Sequence, residues 1–120
     1  MNLRKVYSVA RYKVKVVRQA KSHLTGIKEY IAFELLTPDT AKNMLNVLRQ
    51  SIRSLSDEPY RIKTIDEQPW GSQGIRKTRV KNYYIYFWID EGNKCVYVIA
   101  VIYVARNQEE QLAKLSFDTE

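Results

Sequence analysis

Residues Cys95 to Val104 run Cys-Val-Tyr-Val-Ile-Ala-Val-Ile-Tyr-Val, with no charge anywhere. A short, β-branched, almost wholly apolar run is a strand, and one without a polar face is a central strand buried on both faces. The rest of the chain has to supply its neighbours. Tyr83–Asp90 and Ile75–Lys81 read as strands joined tightly at Lys81-Asn82. Glu91-Gly92-Asn93-Lys94 reads as a hairpin turn, with Gly and Asn where a positive φ is needed. Arg61–Ile65 reads as a further short strand. Near the start, Tyr12, Val14 and Val16 alternate with Lys13 and Lys15, the pattern of a half-buried strand.

Between these lie two helical patterns. Ala20, Leu24, Ile27, Ile31 and Leu35 fall on one face of a helix. Thr37-Pro38 is an N-cap followed by proline at the first helical position. The next helix buries Ala41, Met44, Leu45, Leu48, Ile52 and Leu55, and Ser56-Asp57-Glu58-Pro59 ends it. With about two residues between them, the helices form an antiparallel hairpin. Asn107 with Glu110 resembles a capping box that opens a short last helix over 107–115. The order β-α-α-β-β-β-β-α predicts an α+β fold of two layers, a helix hairpin packed on a mostly antiparallel sheet of four to five strands. At 120 residues the chain reads as a single domain, 1–120, with 1–10 separable as an N-terminal extension.

Charge narrows the function. There are 20 Lys+Arg against 13 Asp+Glu, a net charge of +7. Arg4, Lys5, Arg11, Lys13, Lys15, Arg18, Lys21 and Lys28 precede the first acid, whereas 109–120 is acidic. A body this basic points to an anionic partner, commonly nucleic acid. One cysteine, Cys95, and one histidine, His23, cannot build a zinc or iron–sulfur site or an internal disulfide, so no metal and no cofactor are expected. There is no apolar run of membrane-spanning length and no signal-peptide core, so a cytoplasmic protein without a membrane partner is expected.

Strand parity gives the basic residues a common side. If Tyr12, Val14, Val16, Ile62, Ile85 and Phe87 face the helices, Lys13, Lys15, Arg61, Lys63, Lys77, Arg79 and Lys81 share the other side with Tyr84, Tyr86 and Trp88. Bases neutralise phosphates and aromatic rings stack on unpaired bases, a combination that holds single-stranded RNA. Other chemistry is poorly supplied. His23 sits on the edge of the first helix's apolar face, as a structural histidine would. Cys95 opens a buried strand with no second histidine to activate it. The acid pairs Asp57-Glu58, Asp66-Glu67, Asp90-Glu91 and Glu109-Glu110 lie at turns or element ends, and Trp70-Gly71-Ser72-Gln73-Gly74 matches no phosphate-binding loop. What remains is phosphodiester chemistry by Arg, Lys and Tyr.

Three runs carry a resemblance: Trp70–Lys77, Val80–Asp90 (Val-Lys-Asn-Tyr-Tyr-Ile-Tyr-Phe-Trp-Ile-Asp) and Val98–Arg106 (Val-Ile-Ala-Val-Ile-Tyr-Val-Ala-Arg). Together with Tyr30–Leu35, Pro38, Ala41 and Ser54-Leu55-Ser56, they resemble the RelE/ParE family of type II toxins over about residues 12 to 115. The resemblance implies the same two-layer fold and a cognate antitoxin protein whose C-terminal segment wraps the toxin. It implies one of two activities. RelE-like members are ribosome-dependent mRNA endoribonucleases, with ribosome and mRNA as partners. On that reading Lys77, Arg79, Tyr84 and Arg106 are catalytic, and Lys13, Lys15, Arg61, Lys63, Lys81, Tyr86 and Trp88 bind RNA. ParE-like members inhibit DNA gyrase by protein binding without catalysis. Tyr84 stands where the family usually has an arginine, and the histidine of some nuclease members is missing. The endoribonuclease is the first expectation and the gyrase inhibitor the alternative.

Overall fold

In a computed structural model, residues 11–34 and 38–120 are described. Leu35, Thr37 and its expected cap, Arg4, Lys5 and the expected extension over 1–10 lie outside the described residues. The elements are β1 (Lys13–Val16), α1 (Arg18–Glu29) continuing into a π-helical turn (Tyr30–Glu34), α2 (Pro38–Ser54), β2 (Arg76–Val80), β3 (Tyr83–Asp90), β4 (Cys95–Tyr103) and α3 (Gln108–Lys114). The four strands form one sheet in the order β1-β4-β3-β2. β1 runs parallel to β4, and the other two pairings are antiparallel. This is the expected α+β architecture, with its apolar run at the centre of the sheet.

The two periodicities meet in one core. Leu24, Leu45, Leu48, Ile52 and Leu55 from the helix hairpin pack with Ile85, Phe87, Val96, Val98 and Val101 from the sheet. Ile85 and Phe87 are wholly buried, so the parity expected of β3 on this side holds. Asn107 Oδ1 accepts the Glu110 N–H at 3.2 Å and caps α3 as its spacing predicts.

Two expectations are corrected. Arg61–Ile65 is not a strand. Pro59 opens a 3-10 turn, Pro59–Arg61, and the Arg61 guanidinium donates back to the Glu58 carbonyl at 3.1 Å. Only Thr64 bridges to Arg76. The apolar pair here, Ile62 and Ile65, is spaced by a turn's interval and not by a strand's period of two. In the β3–β4 turn the left-handed residue is Lys94 (φ 49), neither Gly92 nor Asn93. The Asp90 carboxylate holds the turn from outside, accepting from Asn93 N–H at 3.2 Å and Asn93 Nδ2 at 2.8 Å.

The β4 edge shows how helix and sheet are fitted together. β1 ends at Val16, opposite Val98, yet β4 continues to Tyr103. A bulge between Tyr86/Phe87 and Ala100/Val98 leaves Ile99 without a register partner. The Val98 carbonyl takes the Val17 N–H at 3.0 Å, and the next carbonyl, Ile99, takes Gln19 Nε2 at 2.9 Å. Further along, Val101 N–H donates to His23 Nδ1 at 3.1 Å. Gln19 and His23, one turn apart on α1, thus continue the ladder that β1 leaves unfinished. His23 is a structural acceptor, as its position on α1 suggested, and burial lowers its pKa.

Two outcomes follow. Ile85→Ala lowers unfolding free energy by about 2–5 kcal/mol in urea titration, because a wholly buried side chain leaves a cavity. Because the folded state disfavours protonated His23, stability is full above its ordinary pKa, about 6.5, and falls as pH drops from 7 towards 5. His23→Asn, which keeps an acceptor for Val101 N–H and does not titrate, flattens that slope. Urea midpoints measured at several pH values check this.

Candidate functional site

Register decides which side chains share the second sheet face. Lys77 pairs with Tyr86 and Arg79 with Tyr84 across β2–β3. Tyr86 pairs with Ala100 and Trp88 with Tyr97 across β3–β4, and Lys15 with Tyr97 across β1–β4. The face away from the α1–α2 hairpin therefore carries Lys13, Lys15, Lys77, Arg79, Tyr84, Tyr86 and Trp88, as strand parity predicts. The sequence reading missed Tyr97, whose alternation is hidden inside the apolar β4 run.

The rings and cations of this face are already engaged with one another. Trp88 and Tyr97 stack with centroids 5.0 Å apart, and Lys15 Nζ lies 6.0 Å from the Tyr97 ring. Tyr84 and Tyr86 meet edge to face at 6.3 Å. Lys77 Nζ sits 4.3 Å over Tyr84 and 5.9 Å from Tyr86. Lys77 is also ion-paired with Glu67 at 3.5 Å, both side chains about three-quarters buried. Glu67 is brought there by the loop that follows it. A Cβ at Gly71 would lie 2.1 Å from the Ile65 carbonyl, so only glycine lets the loop fold this tightly. Its N–H donates to the Glu67 carbonyl at 2.8 Å.

Tyr86 is not the open stacking platform expected of it. It is fully buried and its hydroxyl donates to Gln108 Oε1 at 2.7 Å. α3 folds back on this face: Leu112 is buried in the same core, and Gln108 Nε2 donates to the Arg106 carbonyl at 2.7 Å. Burial, then Glu67 and Tyr84, push the Tyr86 phenol well above its usual pKa. A hydrogen bond with Cys95 raises Tyr97 as well. Both shifts move phenols away from proton transfer at neutral pH.

The remaining expected residues are dispersed. Arg79 is exposed, its Nε donating to the Lys81 carbonyl at 2.9 Å, and Lys81 is exposed in the β2–β3 turn at φ 56. Arg106 is exposed between β4 and α3. Arg61 and Lys63 lie in the 3-10 turn and the segment after it, not on the sheet. Lys77, Tyr84 and Arg79 are thus brought together by register, and Arg106 joins them only at the same end of the sheet. Among the described residues no cluster of three or more His, Cys, Asp or Glu could hold a metal ion. No described helix is long and apolar enough to cross a membrane.

Two features lie off this face. At one end of the sheet Glu91 Oε1 accepts from Tyr12 at 2.8 Å and Tyr60 at 2.9 Å, and its other oxygen pairs with Lys94. The Lys94 and tyrosine hydrogen bonds hold the Glu91 carboxyl down to about 2. On the hairpin side a groove of about 490 Å³ opens beside β1. Val14, Val16, Leu24, Leu45 and Ile52 form its floor, and Lys21, Lys28, Arg49 and Arg53 its rim.

The family model of the ParE toxin of type II toxin–antitoxin systems matches residues 14–108, which span β1 to the start of α3. The chain belongs to this family, within the RelE/ParE superfamily of toxins. Solved structures with the same fold include the chromosomal ParDE system from P. aeruginosa, at TM-score 0.66 and 15% identity, covering 79% of this chain and 98% of that one. The RelBE2 toxin–antitoxin complex from Mycobacterium tuberculosis follows at TM-score 0.61 and 19% identity, covering 82% and 97%. A mutant E. coli RelE toxin in the free state matches at TM-score 0.58 and 11% identity, covering 84% and 92%. No curated protein matches the chain in sequence.

Tyr86→Phe should cost about 0.5–1.5 kcal/mol of stability by leaving Gln108 Oε1 without its donor. An unchanged urea midpoint would return Tyr86 to the role of an exposed stacking ring.

Proposed function

We propose that this toxin acts by protein binding on DNA gyrase, in the ParE manner, and is neutralised by a cognate antitoxin. One observation carries this reading. α3 lies over the sheet face that RNA chemistry would need open, with Tyr86 buried beneath it and Lys77 held by Glu67. The family whose model matches the chain favours the same direction. Such an activity asks for a contact surface and no reacting group. It also places the protein in the cytoplasm, where its target is.

The second reading is the ribosome-dependent mRNA endoribonuclease, favoured by the register that sets Arg79 beside Tyr84 under Lys77. There Lys77 and Arg79 would stabilise the developing phosphate charge. Tyr84 would stack on a base or move a proton, and Arg106 would bind a neighbouring phosphate. Lys13, Lys15, Lys81 and Trp88 would hold the RNA strand, with Arg61 and Lys63 too far from the sheet plane to share that face.

The antitoxin belongs in the groove beside β1. An apolar floor with a rim of four cations suits an acidic amphipathic segment that folds on contact. The rim charges are screened by salt, so affinity should fall as ionic strength rises, and Arg49→Glu or Arg53→Glu should weaken it further. Isothermal titration at two salt concentrations measures both effects, and a salt-independent complex would contradict them.

The activity is tested by expressing the toxin, mapping mRNA ends and measuring plasmid supercoiling in the same cells. Supercoiling should be inhibited with mRNA ends unchanged, and Lys77→Ala should act as strongly as the wild type. Codon-phased mRNA cleavage lost in Lys77→Ala would establish the nuclease reading in its place. Removing an aimed cationic donor costs about 10²–10³ in rate.

A further inference from the structure

Where β4 and the helix hairpin end together, the surface changes character. Tyr83 and Tyr103 are register partners with rings 5.8 Å apart at 62°. The π-helical turn after α1 brings Tyr30 close enough for its hydroxyl to help raise the Tyr83 phenol pKa, after burial and Tyr103. Tyr30 is 57% exposed, Phe33 71% and Tyr103 45%. The two adjoining loops are tied together, since Val104 N–H donates to the Asn82 carbonyl at 2.9 Å. Lys81 and Arg106 are exposed on the sheet side of these rings, and Glu29 and Glu34 on the hairpin side. None of these four forms an ion pair among the described residues.

An exposed aromatic cluster flanked by unpaired charges has the composition of a protein-binding hot spot. Both charge signs are present, which fits a folded protein surface and opposes a polyanion, because Glu29 and Glu34 repel phosphates. The Tyr83 and Tyr103 rings also meet edge to face, so they do not offer the parallel platforms that stacked bases need. The groove beside β1 differs: its rim is cationic throughout.

We propose that Tyr30, Phe33, Tyr83 and Tyr103, flanked by Lys81 and Arg106 on one side and Glu29 and Glu34 on the other, form the surface that seats the toxin on its folded protein target. The inference rests on the gyrase reading and adds its contact site. The target surface has an apolar pocket for the rings, with acidic groups facing Arg106 and basic groups facing Glu34. This surface is separate from the cation-rimmed groove, so toxic contact and neutralisation use different parts of the molecule.

The test uses purified full-length toxin, DNA gyrase holoenzyme and relaxed plasmid. Phe33→Ser and Arg106→Glu replace exposed side chains and leave the buried core untouched, which an unchanged thermal midpoint verifies. Each variant should need at least about tenfold more protein to inhibit supercoiling, the scale of one hot-spot residue. The Arg106→Glu deficit should shrink as salt rises. Binding of a fluorescent single-stranded RNA is measured in parallel and should be the same for Phe33→Ser and wild type. Wild-type toxin that inhibits gyrase while both variants inhibit equally well would overturn the contact site alone. Loss of RNA affinity in Phe33→Ser, with gyrase inhibition intact, would overturn it in favour of a nucleic-acid surface. Wild-type toxin that leaves supercoiling untouched would overturn the gyrase reading, and this inference with it.

Discussion

β4 is hydrogen-bonded along both edges and covered on both faces, and Val96, Val98, Ile99 and Ala100 have no exposed surface at all. A strand in that position cannot leave a backbone group unpaired without a cost of roughly 1–3 kcal/mol each. β1 is too short to satisfy its whole edge. Gln19 and His23 on α1 finish the task, and the bulge at Ile99 turns successive carbonyls towards them. The angle at which α1 leaves the sheet is therefore set by hydrogen bonds as well as by apolar packing. α2 then packs beside α1, and the groove next to β1 is what the departing helix leaves open.

The same burial on both faces shapes what the protein can do. A sheet covered by the hairpin on one face and partly by α3 on the other has little open platform left. Its remaining cations, Lys15 and Lys77, lie against tyrosine rings. The chemistry is displaced to the margins: the groove beside β1, with uniform positive charge, and the far corner, with mixed charge around exposed rings. Two separate margins suit a toxin that has to meet both an antitoxin and a target.

Most of the fold was legible because each long element carries one clean period. The three-to-four spacing of Leu24, Leu45, Leu48 and Ile52, and the two-residue spacing of Ile85 and Phe87, point to the same core. The 3-10 turn at Pro59 was not legible as such, because Ile62 and Ile65 supply apolar residues without settling their period. Lys94 takes a left-handed conformation beside two more permissive residues because the Asp90 side chain already holds Asn93. At the candidate site, parity placed Lys77, Arg79 and Tyr84 correctly but could not show what covers them. The cover comes from α3 and the Gly71 loop, both distant in sequence from β3. One signal was available: Ala100 and Ile102 make the second face of β4 as apolar as the first, which is inconsistent with a wholly open face. Tyr86 lies directly opposite Ala100.

The central claim is that β4 is sealed on both faces, and native-state hydrogen exchange tests it most directly. Amides of Val98 to Ile102 that pair in the sheet or with His23 should be the slowest to exchange, opening only with global unfolding. Their protection should track the denaturant dependence of the whole molecule. Exchange of these amides by local opening, while the helix hairpin stays protected, would contradict the account and reopen the second sheet face as a surface for RNA.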